Sequence, residues 1–497
     1  MRQCGLALWS GISLVTILLV SRFLILMYPP PLSDARMHYG SFALEFELAA
    51  RKGQTIYQYE AQRVANELAR PRTADRRPSF RQFRITGGRT EGLADGANVE
   101  YPPLALFVMR LPLFFTDYSL QKYVNDYMNK YLVIFRVGMV GVDVILIAAL
   151  VALIRRLFPQ ERCLPQVERL LVYLISTLAL WPVLYDRLDL IQAMMVQLAL
   201  LMLLGRAHYG WSFALLALAI NFKIVPTVLA PVFLIGSMPA VTKLDFSPRT
   251  ARALSARALI LFLMVIALFL PFYVSGGVDC LQFVGFHRQR GLEINSLYSS
   301  LLLGLKELGC PVEVYLSHYC FNVRSCISGS LSASAPYLLA VLLFAATMLC
   351  WSRFQALARG DAGLVARAAT LAQLHPREAA SYSLFFLLLC LVSNKVFSPQ
   401  YMLWLAPLVP LVSMRALARR TFMWTFVLSS VLTTTLFPYI FLTDLVPQLE
   451  DERLGIPTVR AVILLGIRNL LIVGLTIGLA LQLWRHGSPR GERSALL

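Results

Sequence analysis

Charge is scarce in this chain of 497 residues: only 15% are Asp, Glu, Lys or Arg, against about 25% in a soluble domain. That scarcity, with 57% hydrophobic residues, excludes a soluble globular enzyme, a disordered protein and a fibrous repeat. Acidic residues are the scarcer sign, 28 against 46 Lys and Arg, which leaves a net charge of +18. No nucleic-acid motif accompanies the excess. It therefore reads as the Lys and Arg of cytoplasmic loops, and no nucleic-acid partner is expected. Strict apolar/polar alternation is missing and the apolar runs are continuous, as at 259–270, which excludes a transmembrane barrel. Eight cysteines include no CxxC, so zinc-ribbon spacing is absent. No cleavable leader, internal repeat or low-complexity segment stands out, and 6–27 reads as a retained first span.

Long apolar runs are what the chain has instead. Each run of roughly 20 such residues can span a bilayer as a helix. The expectation is an all-α, polytopic integral membrane protein forming a single domain over 1–497, with about 12 transmembrane helices and both ends cytoplasmic. Spans are placed at 6–27, 131–153, 170–185, 188–204, 259–273, 336–350, 381–392, 396–412, 422–442 and 459–483. The stretch 211–235 is interrupted by NFKIVP at 221–226, with basic residues on both flanks. It should enter and return as two short legs meeting near Lys223. The run 101–115 contains Pro102, Pro103, Arg110 and Pro112 and is read as interfacial or re-entrant. Two segments fall outside the cytoplasm: a large first loop, 28–130, with helix-compatible stretches at 33–50 and 57–68, and a second, 274–335.

Cys280, Cys310, Cys320 and Cys326 all fall in that second segment. An even number on the oxidising side points to disulfides, with the pairing open. Within the spans, Arg136 and Asp143 are seven residues apart and share a helix face, where they bind each other or neighbours in a mainly structural role.

The unusual polar residues gather on the external side. Asp34 follows the first span, Glu100 and Tyr101 precede the re-entrant piece, and Asp186 and Asp189 fill a tight turn. His287, Arg288, Arg290, Glu293 and Ser296 form a polar run, Lys223 and Lys395 sit at two hinges, and Gln400 and Tyr401 follow the second hinge. Singly, each has an ordinary explanation: lysines snorkel, turn aspartates cap helices, and external arginines meet lipid phosphate. Together they describe an outward-facing cavity holding both carboxylates and cations. That suits a lipid-phosphate sugar, whose anionic leaving group is stabilised by cations while a carboxylate deprotonates an acceptor hydroxyl. One base and a direct displacement invert the anomeric centre. A membrane transporter or lipid flippase of the envelope is the alternative, with the same spans and broken helices.

The run NKVFSPQY at 394–401, followed by Trp404 and Pro407, resembles a signature of bacterial glycosyltransferase family 87, of the GT-C superfamily. So do YPP at 101–103, NFKIVP at 221–226 and HRQRGLEINS at 287–296. NKVFSPQY is also similar to part of the mannosyltransferase of GPI-anchor assembly. The resemblance implies a multi-pass enzyme of the bacterial inner (plasma) membrane with its active site on the external face. Its donor would be polyprenyl-phosphate mannose, or a related sugar such as arabinofuranose, and its acceptor a glycolipid or glycan. Asp34 lies where the superfamily places its catalytic acidic residue, so it is expected as general base. His287, Arg288, Arg290, Lys395 and Lys223 are expected at the donor phosphate. Glu100, Tyr101, Asp186, Asp189, Glu293, Ser296, Gln400 and Tyr401 are expected to line the substrate cavity. His287 and His318 are far apart, with no adjacent carboxylate pair. No cofactor or obligatory metal is therefore expected, and a loosely held Mg²⁺ or Mn²⁺ stays open.

Overall fold

A computed structural model describes residues 16, 18–28, 30, 33, 35–68, 99–116, 124–205, 209–240, 244–245, 247–306, 308–318, 320–360, 369–447 and 455–486. Asp34 lies outside these described residues, as does most of the first half of the expected 6–27 span. The architecture is helical and multi-pass, as backbone in lipid requires every N–H and C=O to be bonded within its own segment. Among the described residues, six helices are long and apolar enough to cross a bilayer.

The chain opens with α1 (Leu18–Met27), a π-helical turn (Ala35–Tyr39), α2 (Gly40–Arg51) and α3 (Ile56–Leu68). Next comes α4 (Pro103–Arg110), continued by a 3₁₀ turn to Phe115. At about 1.5 Å per α-helical residue and 2.0 Å per 3₁₀ residue, this piece reaches roughly 22 Å, short of a hydrocarbon core of about 30 Å. The bundle proper is α5 (Val124–Leu157), α6 (Cys163–Ala179), α7 (Asp189–Leu204), α8 (Tyr209–Phe222), α9 (Ala230–Gly236) and α10 (Pro248–Gly276). After a polar segment come α13 (Ser328–Gly360), α14 (Pro376–Ser393), α15 (Ala416–Thr434) and α16 (Val459–His486).

The polar segment is less purely helical than the sequence implied. It contains α11 (Gln282–Gln289), β1 (Leu292–Glu293), α12 (Leu297–Lys306), β2 (Val312–Ser317) and β3 (Cys320–Ser325). The strands form an antiparallel sheet in the order β1-β3-β2, with Leu292 opposite Val323 and Val323 opposite Val314. Its apolar residues pack with Leu302, Leu303, Leu436 and Leu465 into a small core separate from that of the bundle. α13 starts eight residues before the expected 336.

One end of the bundle is basic. Glu161, between α5 and α6, binds Arg169 at 2.8 Å and Arg419 at 3.2 Å, while Glu168 binds Arg419 at 3.1 Å and Arg420 at 2.9 Å. Arg169, Arg419 and Arg420, which lie between expected spans, are thus joined at one end. From there α7 and α8 alternate in direction. Lys223, just past α8, reaches Asp189 at the start of α7. A Cβ on Gly236, at the end of α9, would lie 3.5 Å from Leu203 at the other end of α7. The interrupted stretch therefore runs to one end and comes back, breaking at Lys223-Ile224, where Pro226 has no N–H to bond the Phe222 carbonyl and continue the helix.

Two expectations are corrected, and a third, open between two alternatives, resolves to one. The region 396–412 is not one helix. It runs as short turns, Pro399–Tyr401, Met402–Leu405 and Val409–Leu411, because Pro399, Pro407 and Pro410 lack the N–H a helix needs. Residues 399–412 are all buried, which is where irregular backbone is tolerated. The expected disulfides are not formed: Cys280, Cys310, Cys320 and Cys326 are free thiols. The register pairs Cys320 with Ser317, and Cys310 and Cys326 both lie outside the strands. Arg136 and Asp143 bind neighbours and not each other. Arg136 pairs with Asp186 at 3.4 Å and donates to the carbonyl of Ile25, whereas Asp143 accepts from Arg22 (2.8 Å), Tyr173 (2.6 Å) and Tyr185 (2.8 Å). The two pairs hold α1 against α5 and α6.

Candidate functional site

Two of the motif runs meet at the end opposite the basic cluster, zipped together by hydrogen bonds. The Glu293 N–H donates to the Lys395 carbonyl at 2.9 Å, and the Phe397 N–H donates to Glu293 Oε2 at 2.7 Å. Asn295 Nδ2 fills Glu293 Oε1 at 2.7 Å. Tyr298 donates to the Ser393 carbonyl at 2.9 Å. Lys395 Nζ donates to the carbonyl of Arg288 at 2.9 Å and to that of Arg290, closing the exposed end of α11. Gly291 follows, and a Cβ there would require the Tyr315 hydroxyl to move and would press on Asn322. Ser296 is fully buried and accepts from the Ser299 N–H at 3.1 Å, opening α12. In these roles Glu293 and Ser296 shape the loop.

The zipped runs form one wall of a cavity of about 960 Å³. His287, Arg288, Arg290 and Lys395 line it, joined by Arg324 from β3 and by Pro336, Tyr337 and Leu339 from α13. Arg288 lies in the last turn of α11 and Arg290 just past its end, so their side chains diverge: Arg288 is exposed and Arg290 is 4% exposed. Burial works against the Arg290 charge, but the Cys320 sulfur and the Glu100 carboxylate outweigh it and hold Arg290 above the usual guanidinium range. Lys395 is shifted the other way, lowered first by burial and then by Arg290.

A second cluster abuts the first through Glu100. Its Oε1 binds Arg290 at 3.2 Å, and its Oε2 lies 3.9 Å from His38 Nε2. His287 meets the Glu100 backbone. The next residue, Tyr101, brings its hydroxyl 3.4 Å from that of Tyr39, and Pro102-Pro103 then starts α4. Lys223 stands 6.0 Å from the Tyr101 ring, 5.5 Å from Tyr401 and 5.4 Å from Trp404, the last two stacked at 4.0 Å. Its Nζ binds Asp189 Oδ1 at 2.6 Å, and Trp404 Nε1 donates to the same oxygen at 2.7 Å. Asp189 Oδ2 and Gln400 Oε1 are buried with no hydrogen-bond partner among the described residues.

Of the residues singled out in the sequence, His287, Arg288, Arg290, Lys395, Glu100, Tyr101, Lys223, Asp189 and Tyr401 converge here. Asp186 does not share the Asp189 contacts. It accepts from Ser33 at 2.5 Å and faces Arg136. Ser33 immediately precedes Asp34. Sequence reasoning passed over His38, Tyr39 and Arg324. His38 is one of only six histidines and follows Asp34 closely, a signal that could have found it. Arg324 becomes legible only once its strand is known.

The arrangement can hold an anion on several cations, place apolar walls beside it, and bring carboxylates to the same edge. Comparison with known protein families and with curated proteins finds no match for this chain.

Proposed function

We propose that this chain is a membrane glycosyltransferase of GT-C type, with about 12 spans and a large first external loop. It transfers a hexose, mannose in the first instance, from a polyprenyl-phosphate donor to a glycolipid or glycan acceptor on the non-cytoplasmic face of a bacterial inner membrane. One observation carries the reading: a cavity of about 960 Å³ in which Arg288, Arg290, Arg324 and Lys395 lie beside the apolar wall of α13. A phosphate with a long apolar chain has the complementary chemistry. Clustered cations in a partly dry site stabilise the charge that develops as the sugar–phosphate bond breaks.

The base is assigned to Asp34. Glu100, Asp189 and Asp186 each face a cation, Arg290, Lys223 and Arg136 respectively. Each of the three carboxylates is thus already engaged in an ion pair within the protein. In the proposed step the base takes the acceptor hydroxyl proton, the freed oxygen attacks the anomeric carbon from the face opposite the phosphate, and the lipid phosphate leaves, inverting that centre.

The test is transfer of radiolabelled sugar from polyprenyl-phosphate mannose in membranes. Asp34→Asn should lower turnover by about two to four orders of magnitude, the usual worth of general base catalysis, and Arg288→Ala should raise the donor KM. An Asp34→Asn protein with wild-type turnover removes the base. A wild-type protein that moves the donor lipid across vesicles and never transfers its sugar establishes the flippase alternative.

A further inference from the structure

A second, smaller cavity lies where α4 crosses the outer end of α10. Its volume is about 390 Å³, within the range of small-ligand sites. Its walls are Phe46, Tyr57, Phe107 and Phe272, with Arg110, Gln54, Thr55 and Ser275 as polar members. Phe107 is 44% exposed and α10 carries a largely unburied apolar surface, so the cavity borders the lipid-facing side.

Two of these, Arg110 and Gln54, are incompletely satisfied among the described residues. Arg110 gives Nη2 to Glu47 at 3.3 Å and lays its guanidinium 5.2 Å from the Phe46 ring, but its Nε is buried with no partner. Gln54 donates through Nε2 to Gln62 at 3.0 Å, while its Oε1 is buried with no partner. One wall thus lacks an acceptor for a cationic N–H, and another lacks a donor for an amide oxygen. Buried polar groups left in this state are costly, and a ligand that supplies both partners relieves that cost.

We infer that this cavity binds the head of an anionic lipid that also carries a hydroxyl. A phosphate oxygen accepts from Arg110 Nε, and a hydroxyl on the same head donates to Gln54 Oε1. A cavity of this size admits the head alone, so the acyl chains run out past Phe107 and Phe272 into the bilayer. A zwitterionic head without a hydroxyl leaves Gln54 unpaired. Glu47 opposes the bound anion, since it competes for the same guanidinium. The inference stands on this cavity and not on the transferase reading.

The test uses the full chain in dodecyl maltoside and a fluorescent phosphatidylglycerol. Binding by the wild type is expected to weaken at least about tenfold in Arg110→Gln, the scale of one charge-assisted hydrogen bond, and to strengthen in Glu47→Gln. Ser275→Trp fills the cavity from the exposed face of α10 and should also weaken binding, which keeps the test open if Arg110→Gln folds poorly. Arg288→Ala, in the other cavity, should leave binding unchanged. Glycerol 3-phosphate should compete only at far higher concentration. The inference is overturned if phosphatidylcholine binds equally well, if Arg288→Ala abolishes binding while Arg110→Gln does not, or if glycerol 3-phosphate binds as tightly as the lipid.

Discussion

Lys223 Nζ lies 2.6 Å from Asp189 Oδ1, tying the break between α8 and α9 to the first turn of α7. Asp189 is 0% exposed, and the same oxygen also takes the Trp404 indole N–H. One carboxylate thus joins three separate membrane stretches at the floor of the candidate site.

Removing the cation should therefore cost more than the bond it makes. Lys223→Met leaves a buried carboxylate with only an indole donor, and breaking a buried pair costs about 3–5 kcal/mol. With the Lys223 side chain 14% exposed, the lower part of that range is expected. The double variant Lys223→Met/Asp189→Asn should regain most of the loss, since Asn still accepts from Trp404. Thermal unfolding of all four proteins in detergent measures the coupling, and additive losses would show that the pair is not coupled.

Glu293 should make stability fall as pH rises. Burial raises its pKa above the ordinary value, against the opposing Asn295 hydrogen bond and the Arg290 charge. The folded state therefore holds this proton at pH values where the unfolded chain, near 4.3, has lost it. Stability from the proton is complete below the unfolded value and drains away as pH climbs through the folded one. The unfolding midpoint of wild type minus that of Glu293→Gln should decline from pH 4.5 upward. A difference that grows with pH would overturn the assignment.

Native cysteines report the two ends of the bundle. Cys163, at the start of α6 by the basic cluster, and Cys326, just before α13, are both exposed, whereas Cys280, Cys350 and Cys390 are buried. A membrane-impermeant maleimide should label Cys163 and Cys326 from opposite faces of sealed vesicles and reach the buried three only after denaturation. Labelling of both exposed thiols from one face would rule out the arrangement.

Much of this was legible before any coordinates, for identifiable reasons. The break at 221–226 could be read because Pro226 lacks the N–H that a continuous helix would need there. The basic end could be read because Arg169, Arg377, Arg419 and Arg420 follow apolar runs in a consistent alternation. The convergence of HRQRGLEINS and NKVFSPQY was legible as two polar runs at the same ends of spans. What failed was tertiary. Leu292 pairs with Val323 across thirty residues of chain, and a two-residue strand leaves no periodicity to detect. Arg136 and Asp143 were legible as buried structural charges that bind each other or neighbours, and only the choice of neighbours, Asp186 and Arg22, waited on the fold. In 396–412 the prolines were visible, but overall hydropathy outweighed them in the reading. A proline in a helix interior disfavours the helix by about 3 kcal/mol, so three of them settle the matter.

The buried, turn-rich course of residues 399–412 also constrains how the protein is made. A nascent helix leaves the translocon sideways into lipid because its backbone is already self-satisfied. Residues 399–412 cannot leave that way alone. Arg169 donates to the carbonyls of Pro410 and Val412, and Trp404 donates to Asp189. Those partners sit on α6 and α7, which are synthesised more than two hundred residues earlier. Biogenesis is thereby ordered: the early helices must be retained beside the insertion channel until this stretch emerges and docks on them.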